Sequence, residues 1–108
     1  MCAPPPPTSS RMDILTKASD LTSGSRNESY GSPMPNMECF AALQVAFTQG
    51  ISTSGVQMPG GVFASVIHCL NKISRIAANP AHMDNYVDLA AYGGIAGECA
   101  SRAFGVEC

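Results

Sequence analysis

Charge is scarce in this chain of 108 residues. Charged side chains make up 13% and the net charge is −2. That balance gives no electrostatic footprint for a nucleic-acid polymer, so any basic patch must be local. Tryptophan is absent and aromatic residues are 6%. No stretch reaches the roughly 18 apolar residues of a membrane-spanning helix. The N-terminal M-C-A-P-P-P-P-T-S-S-R lacks the apolar segment of a signal peptide, and a cytoplasmic protein is the expectation. The five cysteines are odd in number, and none forms a C-x-x-C pair. Zinc and dithiol chemistry are therefore not expected. Cys39, Cys69 and Cys99 read as small core residues on helices, and Cys2 and Cys108 sit near the ends.

Hydrophobic residues, at 45%, suffice for one small domain with one core. So little charge on so many helical positions predicts that another subunit covers part of the surface. We expect three segments: a disordered proline-rich tail over 1–11, one helical domain over 12–102, and a tail over 103–108. Pro4 to Pro7 favour extended polyproline backbone. Ile14, Leu15, Ala18 and Leu21 mark a short amphipathic helix from Met12 to Leu21. Thr22 to Asn36 is dense in glycine, serine and proline and reads as a loop. Arg26 and Tyr30 lie within it, either as binding residues or as a helix cap and a plug for the bundle end.

Asn36 is placed to cap a helix from Met37 to about Gln49, with Met37, Phe40, Leu43 or Gln44, and Phe47 facing inward. Gly50 to Gly61 reads as a flexible connection. Val62 to Ala78 forms a third helix with an apolar stripe through Phe63, Val66, Ile67, Leu70 and Ile73. His68, Lys72, Arg75 and Asn79 share another line along it, a phosphate-binding edge or a solvated face. Pro80 disfavours helical angles at Asn79 and ends this helix. The fourth helix starts between His82 and Asp84 and runs to about Arg102. Its Gly93, Gly94 and Gly97 each cost about 1 kcal/mol relative to alanine, which predicts close approach of another helix.

Lys72 and Arg75 stand before Pro80, and Asp84 and Asp88 behind it. An antiparallel hairpin brings the four together near one end. Asp84 and Asp88, one turn apart, are a reasonable divalent-metal pair, but magnesium needs further oxygen ligands. Glu38 and Glu98 are the helix-borne candidates. The alternative is structural: Asp84 caps the helix and Asp88 pairs with Lys72 or Arg75.

R-N-E-S-Y-G-S-P (Arg26 to Pro33), K-I-S-R-I (Lys72 to Ile76) and N-P-A-H-M-D-N-Y-V-D-L-A-A-Y (Asn79 to Tyr92) together resemble a small domain of unknown function common in bacteriophages and prophages. That domain in turn resembles the MazG-type nucleoside triphosphate pyrophosphohydrolases. The resemblance covers about Ile14 to Ala100. It implies an all-α, MazG-like bundle of about four helices, assembled as a homo-oligomer in the host cytoplasm and acting on nucleotides. In MazG-type enzymes, acidic clusters on facing helices hold magnesium, and metal-bound water cleaves a triphosphate to monophosphate and pyrophosphate. Asp84 and Asp88 match the second acidic motif. The first, E-E-x-x-E, has no counterpart here.

Two functional expectations follow. In the first, Asp84 and Asp88 bind magnesium, with Glu38 and Asp88 as the catalytic carboxylates and Glu98 as the substitute for Glu38. Lys72, Arg75 and Arg26 then hold phosphates, and Tyr30 or Tyr92 contacts base or sugar. In the second, the protein sequesters an intact nucleotide or cyclic nucleotide used as an immune signal, and the aspartates only orient Lys72 and Arg75. A structural helical oligomer, with charges fixing register alone, is the plain alternative.

Overall fold

The computed structural model describes residues 8–23 and 33–108. It is all-α, with helices α1 (Arg11–Ser23), α2 (Pro33–Ser54), α3 (Gly60–Ala78) and α4 (Asp84–Phe104). The sequence readings on 1–7 and 24–32, including Arg26 and Tyr30, lie outside the described residues.

A reciprocal cap opens α1. The Ser10 N–H donates to Asp13 Oδ2 at 2.9 Å, and the Asp13 N–H donates to Ser10 Oγ at 3.1 Å. The bond from the Ser10 backbone, followed by that from its side chain, holds the Asp13 carboxyl below its ordinary range. The expected stripe of α1 does not dock: Ile14, Leu15 and Leu21 remain exposed and α1 buries no residue.

The start of α2 differs from the expected cap at Asn36. The helix begins at Pro33, and Asn36 is its fourth residue. Pro33 and Pro35 fall in the first turn, where backbone N–H groups have no intrahelical partner and proline costs little. At the other end α2 passes through Gly50 to Ser54 and stops at Gly55, which has φ +67°. The expected long connection therefore shrinks to residues 55–59.

Pro80 ends α3 as its ring requires. Asn79 leaves helical geometry at φ −148°, ψ 85°, while its N–H still donates to the Arg75 carbonyl at 2.9 Å. Two bonds pin the turn. The Ala81 N–H donates to Asn79 Oδ1 at 3.3 Å, and the Tyr86 hydroxyl donates to the Pro80 carbonyl at 2.8 Å. Asp84 is the first residue of α4 and not its cap. Met83 holds the cap position, with no side-chain cap bond.

α3 is the central helix, and α2 and α4 each pack against it antiparallel. Phe47 of α2 stacks on Phe63 of α3, with ring centroids 5.9 Å apart. On the α4 side, His68 stacks on Tyr92 and Lys72 pairs with Asp88. At about 100° per residue, Phe63 lies roughly 140° around α3 from His68 and roughly 180° from Lys72. The two neighbours therefore approach from opposite sides, and α2, α3 and α4 form a single layer. A layer one helix thick cannot enclose a core. Among the described residues no hydrophobic side chain is buried; the buried ones are Ser65, Ser74 and Asn85.

Close approach occurs at Gly61, not at the glycines of α4. A Cβ on Gly61 would lie 2.9 Å from Cys99 Sγ and 3.4 Å from Cys99 Cβ, whereas one on Gly93, Gly94 or Gly97 meets open space. Gly61→Ala should therefore gain helix propensity yet lose about 1 kcal/mol net through this clash. In a Cys99→Ala background the same change should be neutral or stabilising. Urea denaturation of the four variants measures the coupling.

Candidate functional site

The hairpin of α3 and α4 has Pro80 at its midpoint. Lys72 and Asp88, each eight residues from Pro80, form an ion pair at 3.3 Å. His68 and Tyr92, each twelve residues away, stack with ring centroids 4.5 Å apart and planes 9° from parallel. Gly61 and Cys99, each nineteen away, make the close contact already described. Cys69 adds a long sulfur contact, 3.9 Å from the Leu89 carbonyl. One straight antiparallel register thus carries the hairpin from its turn to its open end.

The same register organises the charges. Around α3, His68, Asn71 and Arg75 fall between the two contact lines on one side of the layer. Asp84, Asp88, Ile95, Glu98 and Arg102 of α4 fall on that side too. The opposite side carries Val62, Val66 and Ile73 of α3, Tyr86, Leu89 and Gly93 of α4, and Cys39, Ala42 and Ala46 of α2. Every charged side chain of α3 and α4 is thus on one face or at the seam. On that face, Lys72 and Asp88 differ in exposure: the Lys72 side chain is 14% exposed and that of Asp88 48%. The pair is a cation held at the seam by a carboxylate that reaches into solvent. Arg75 is half-buried one turn nearer to Pro80.

The candidate residues are only partly gathered. Lys72, Asp88 and Tyr92 converge with His68, and Arg75 lies beside them. Asp84 is on the same face, but its side chain is 86% exposed and His82 Nε2 lies 3.9 Å from its Oδ2. Glu98 pairs with Arg102 at 2.7 Å, about 15 Å along α4 from Asp88. Glu38 sits nine residues before Phe47, half a revolution around α2, and so points away from α3. It is exposed and does not join the aspartates. Among the described residues no three His, Cys, Asp or Glu side chains are grouped to hold a metal ion. Asp88 is engaged by Lys72, and Asp84, one turn away on the same face, is largely exposed. Open space of about 400 Å³ lined by Gln57, Met58, Pro59 and Phe104 lies at the far end of the hairpin from these charges.

His68 enters the site through its ring, a contact that the helical line alone did not reveal. Counting outward from Pro80 on both sides pairs it with Tyr92. That signal was present in the sequence once the turn was located.

Residues 13–100 match the model of a family described as a domain of unknown function, DUF6378. The chain belongs to that family. This DUF6378 chain is also 36% identical, over 84 residues, to the Gene 55 protein of Mycobacterium phage L5. The alignment covers 78% of the DUF6378 chain and 50% of the phage protein, so the chain spans about half the length of that curated relative. No solved structure matches it. The family and its phage relative agree with a small phage-type domain. No helix among the described residues is long and apolar enough to cross a membrane.

Proposed function

We propose that this phage-type domain binds a nucleotide on the charged face of the α3–α4 hairpin and holds it intact. The observation that carries the reading is the juxtaposition of a stacked His68–Tyr92 pair with the Lys72–Asp88 ion pair, one turn apart on the same seam. Lys72 and Arg75 supply fixed positive charge for phosphate oxygens. The flat His68–Tyr92 surface supplies a stacking platform for a base. Asp88 orients Lys72 and accepts from a ribose hydroxyl. Arg26 and Tyr30 belong to the same proposal as further phosphate and base contacts.

Binding without hydrolysis is favoured by the donor set. MazG-type chemistry requires grouped carboxylates on facing helices, and here Glu38 points away from Asp84 and Asp88 while Lys72 engages Asp88. MazG-like ancestry of the bundle remains part of the proposal, with the first acidic motif replaced by a basic one. A cyclic or linear nucleotide used as an immune signal is the class that a sequestering protein of this kind would take.

Titration calorimetry with mono-, di-, tri- and cyclic nucleotides tests the reading, followed by chromatography of the recovered ligand. Heat of binding with intact ligand supports it. No heat with any nucleotide ends it. Release of monophosphate and pyrophosphate in magnesium, lost in Asp88→Ala, would replace it with the hydrolytic reading.

A further inference from the structure

The layer has one charged face and one charge-free face, and a face without charge on a helical domain requires cover. We propose that the charge-free face of α2, α3 and α4 is the interface for a second copy of this chain, which stacks the same face against it. The contact is isologous: Val62, Val66 and Ile73 of α3 lie at its centre, flanked by Leu89 and Tyr86 of α4 and by Cys39 and Ala46 of α2.

Three observations carry this. First, no hydrophobic side chain is buried among the described residues, although hydrophobic residues are 45% of the chain. A single layer half-covers its apolar residues, and stacking two layers buries them. Second, at the centre of that face Ile73 is 39% exposed and Val62 and Val66 are only half-buried. Third, the areas agree. Three helices about 30 Å long and about 9 Å apart present roughly 800 Å², the share of each partner in a standard interface.

The unattached α1 does not fill this role. Its 13 residues span about 20 Å and would cover about a quarter of that face. Two copies stacked in this way leave both charged faces outward, so the dimer carries two separate sites. The stacking does not depend on what those sites bind.

Sedimentation equilibrium of the full chain should return twice the 11.2 kDa mass. Val66→Asp should return the single mass, whereas Ile95→Asp, on the charged face, should leave the mass doubled. To separate loss of the interface from loss of folding in Val66→Asp, a second measurement uses the wild-type chain in a mixture of isotopically labelled and unlabelled copies. Intermolecular methyl contacts at Val62, Val66, Ile73 or Leu89 support the proposal. A monomeric wild type overturns it, and so do intermolecular contacts confined to the outer edge of α4 at Met83, Val87 and Ala90. Methyl contacts from Ile14, Leu15 and Leu21 onto Val66 within one chain would assign the face to α1 and overturn it equally.

Discussion

Lys72→Glu is expected to weaken nucleotide binding at least 10-fold and up to about 100-fold. A hydrogen bond to a charged group is worth about 1.5–3 kcal/mol, and each 1.4 kcal/mol is a factor of ten in affinity. Lys72 is the suitable position because its ammonium is already ordered at the seam, 3.3 Å from Asp88, with its side chain 14% exposed. Little side-chain freedom remains to be lost when phosphate arrives. The single reversal places two carboxylates side by side, so some stability is lost with it. That loss blurs the interpretation of this variant taken alone.

Reciprocal exchange removes the ambiguity. Lys72→Asp with Asp88→Lys keeps one cation and one anion facing each other, so the hairpin should regain most of the stability lost by either single change. The cation then projects from α4 and not from the line shared with Arg75. If Lys72 serves only the register of the hairpin, the exchanged protein should bind nucleotide as the wild type does. If Lys72 receives phosphate, affinity should stay at least 10-fold down while the melting temperature recovers. Calorimetry and thermal melting on the same four proteins separate the two roles by a double-mutant cycle.

The sequence made the hairpin legible because Pro80 is a hard stop with a known position. Once Asn79 leaves the helix, antiparallel packing pairs residues at equal distances from the turn, and Lys72 with Asp88 follows by counting. The end of α3 and the extent of α4 were readable for the same reason. The start of α2 was not, because an asparagine cap competes with prolines in a first turn, and Pro33 and Pro35 cost little there. Glycine patterns also misled. Gly93, Gly94 and Gly97 announce close packing, yet the tight contact is at Gly61, whose partner Cys99 lies 38 residues away. Periodicity identifies which residues share a face but not what covers that face. Each helix shows an apolar stripe that reads as core, and nothing local distinguishes a layer from a closed bundle. Glu38 shows the same limit: its helix was readable, but its rotation relative to Asp84 and Asp88 depended on how Phe47 meets Phe63.

Asn85→Leu is expected to raise stability by about 1 kcal/mol, or about 4–8 °C in melting temperature for a domain of this size. Asn85 is 2% exposed, at the start of α4. Its Nδ2 has no hydrogen-bond partner, and Asn71 Oδ1 on α3 is likewise buried without one. An unpaired buried polar group costs about 1–3 kcal/mol, whereas an apolar side chain branched at the same carbon fills the space without that cost. Part of the gain is offset because leucine is larger and the site tight. A residue that weakens a small domain and yet stands, like Arg75, five residues from Pro80 is where stability and function are expected to oppose each other. The variant should therefore melt higher while binding nucleotide less well. If it melts lower, the amide is satisfied in solution by water or a neighbouring group, and Asn85 is a structural hinge of the hairpin. Thermal melting decides between these, and calorimetry on the same sample shows whether the amide reaches the ligand.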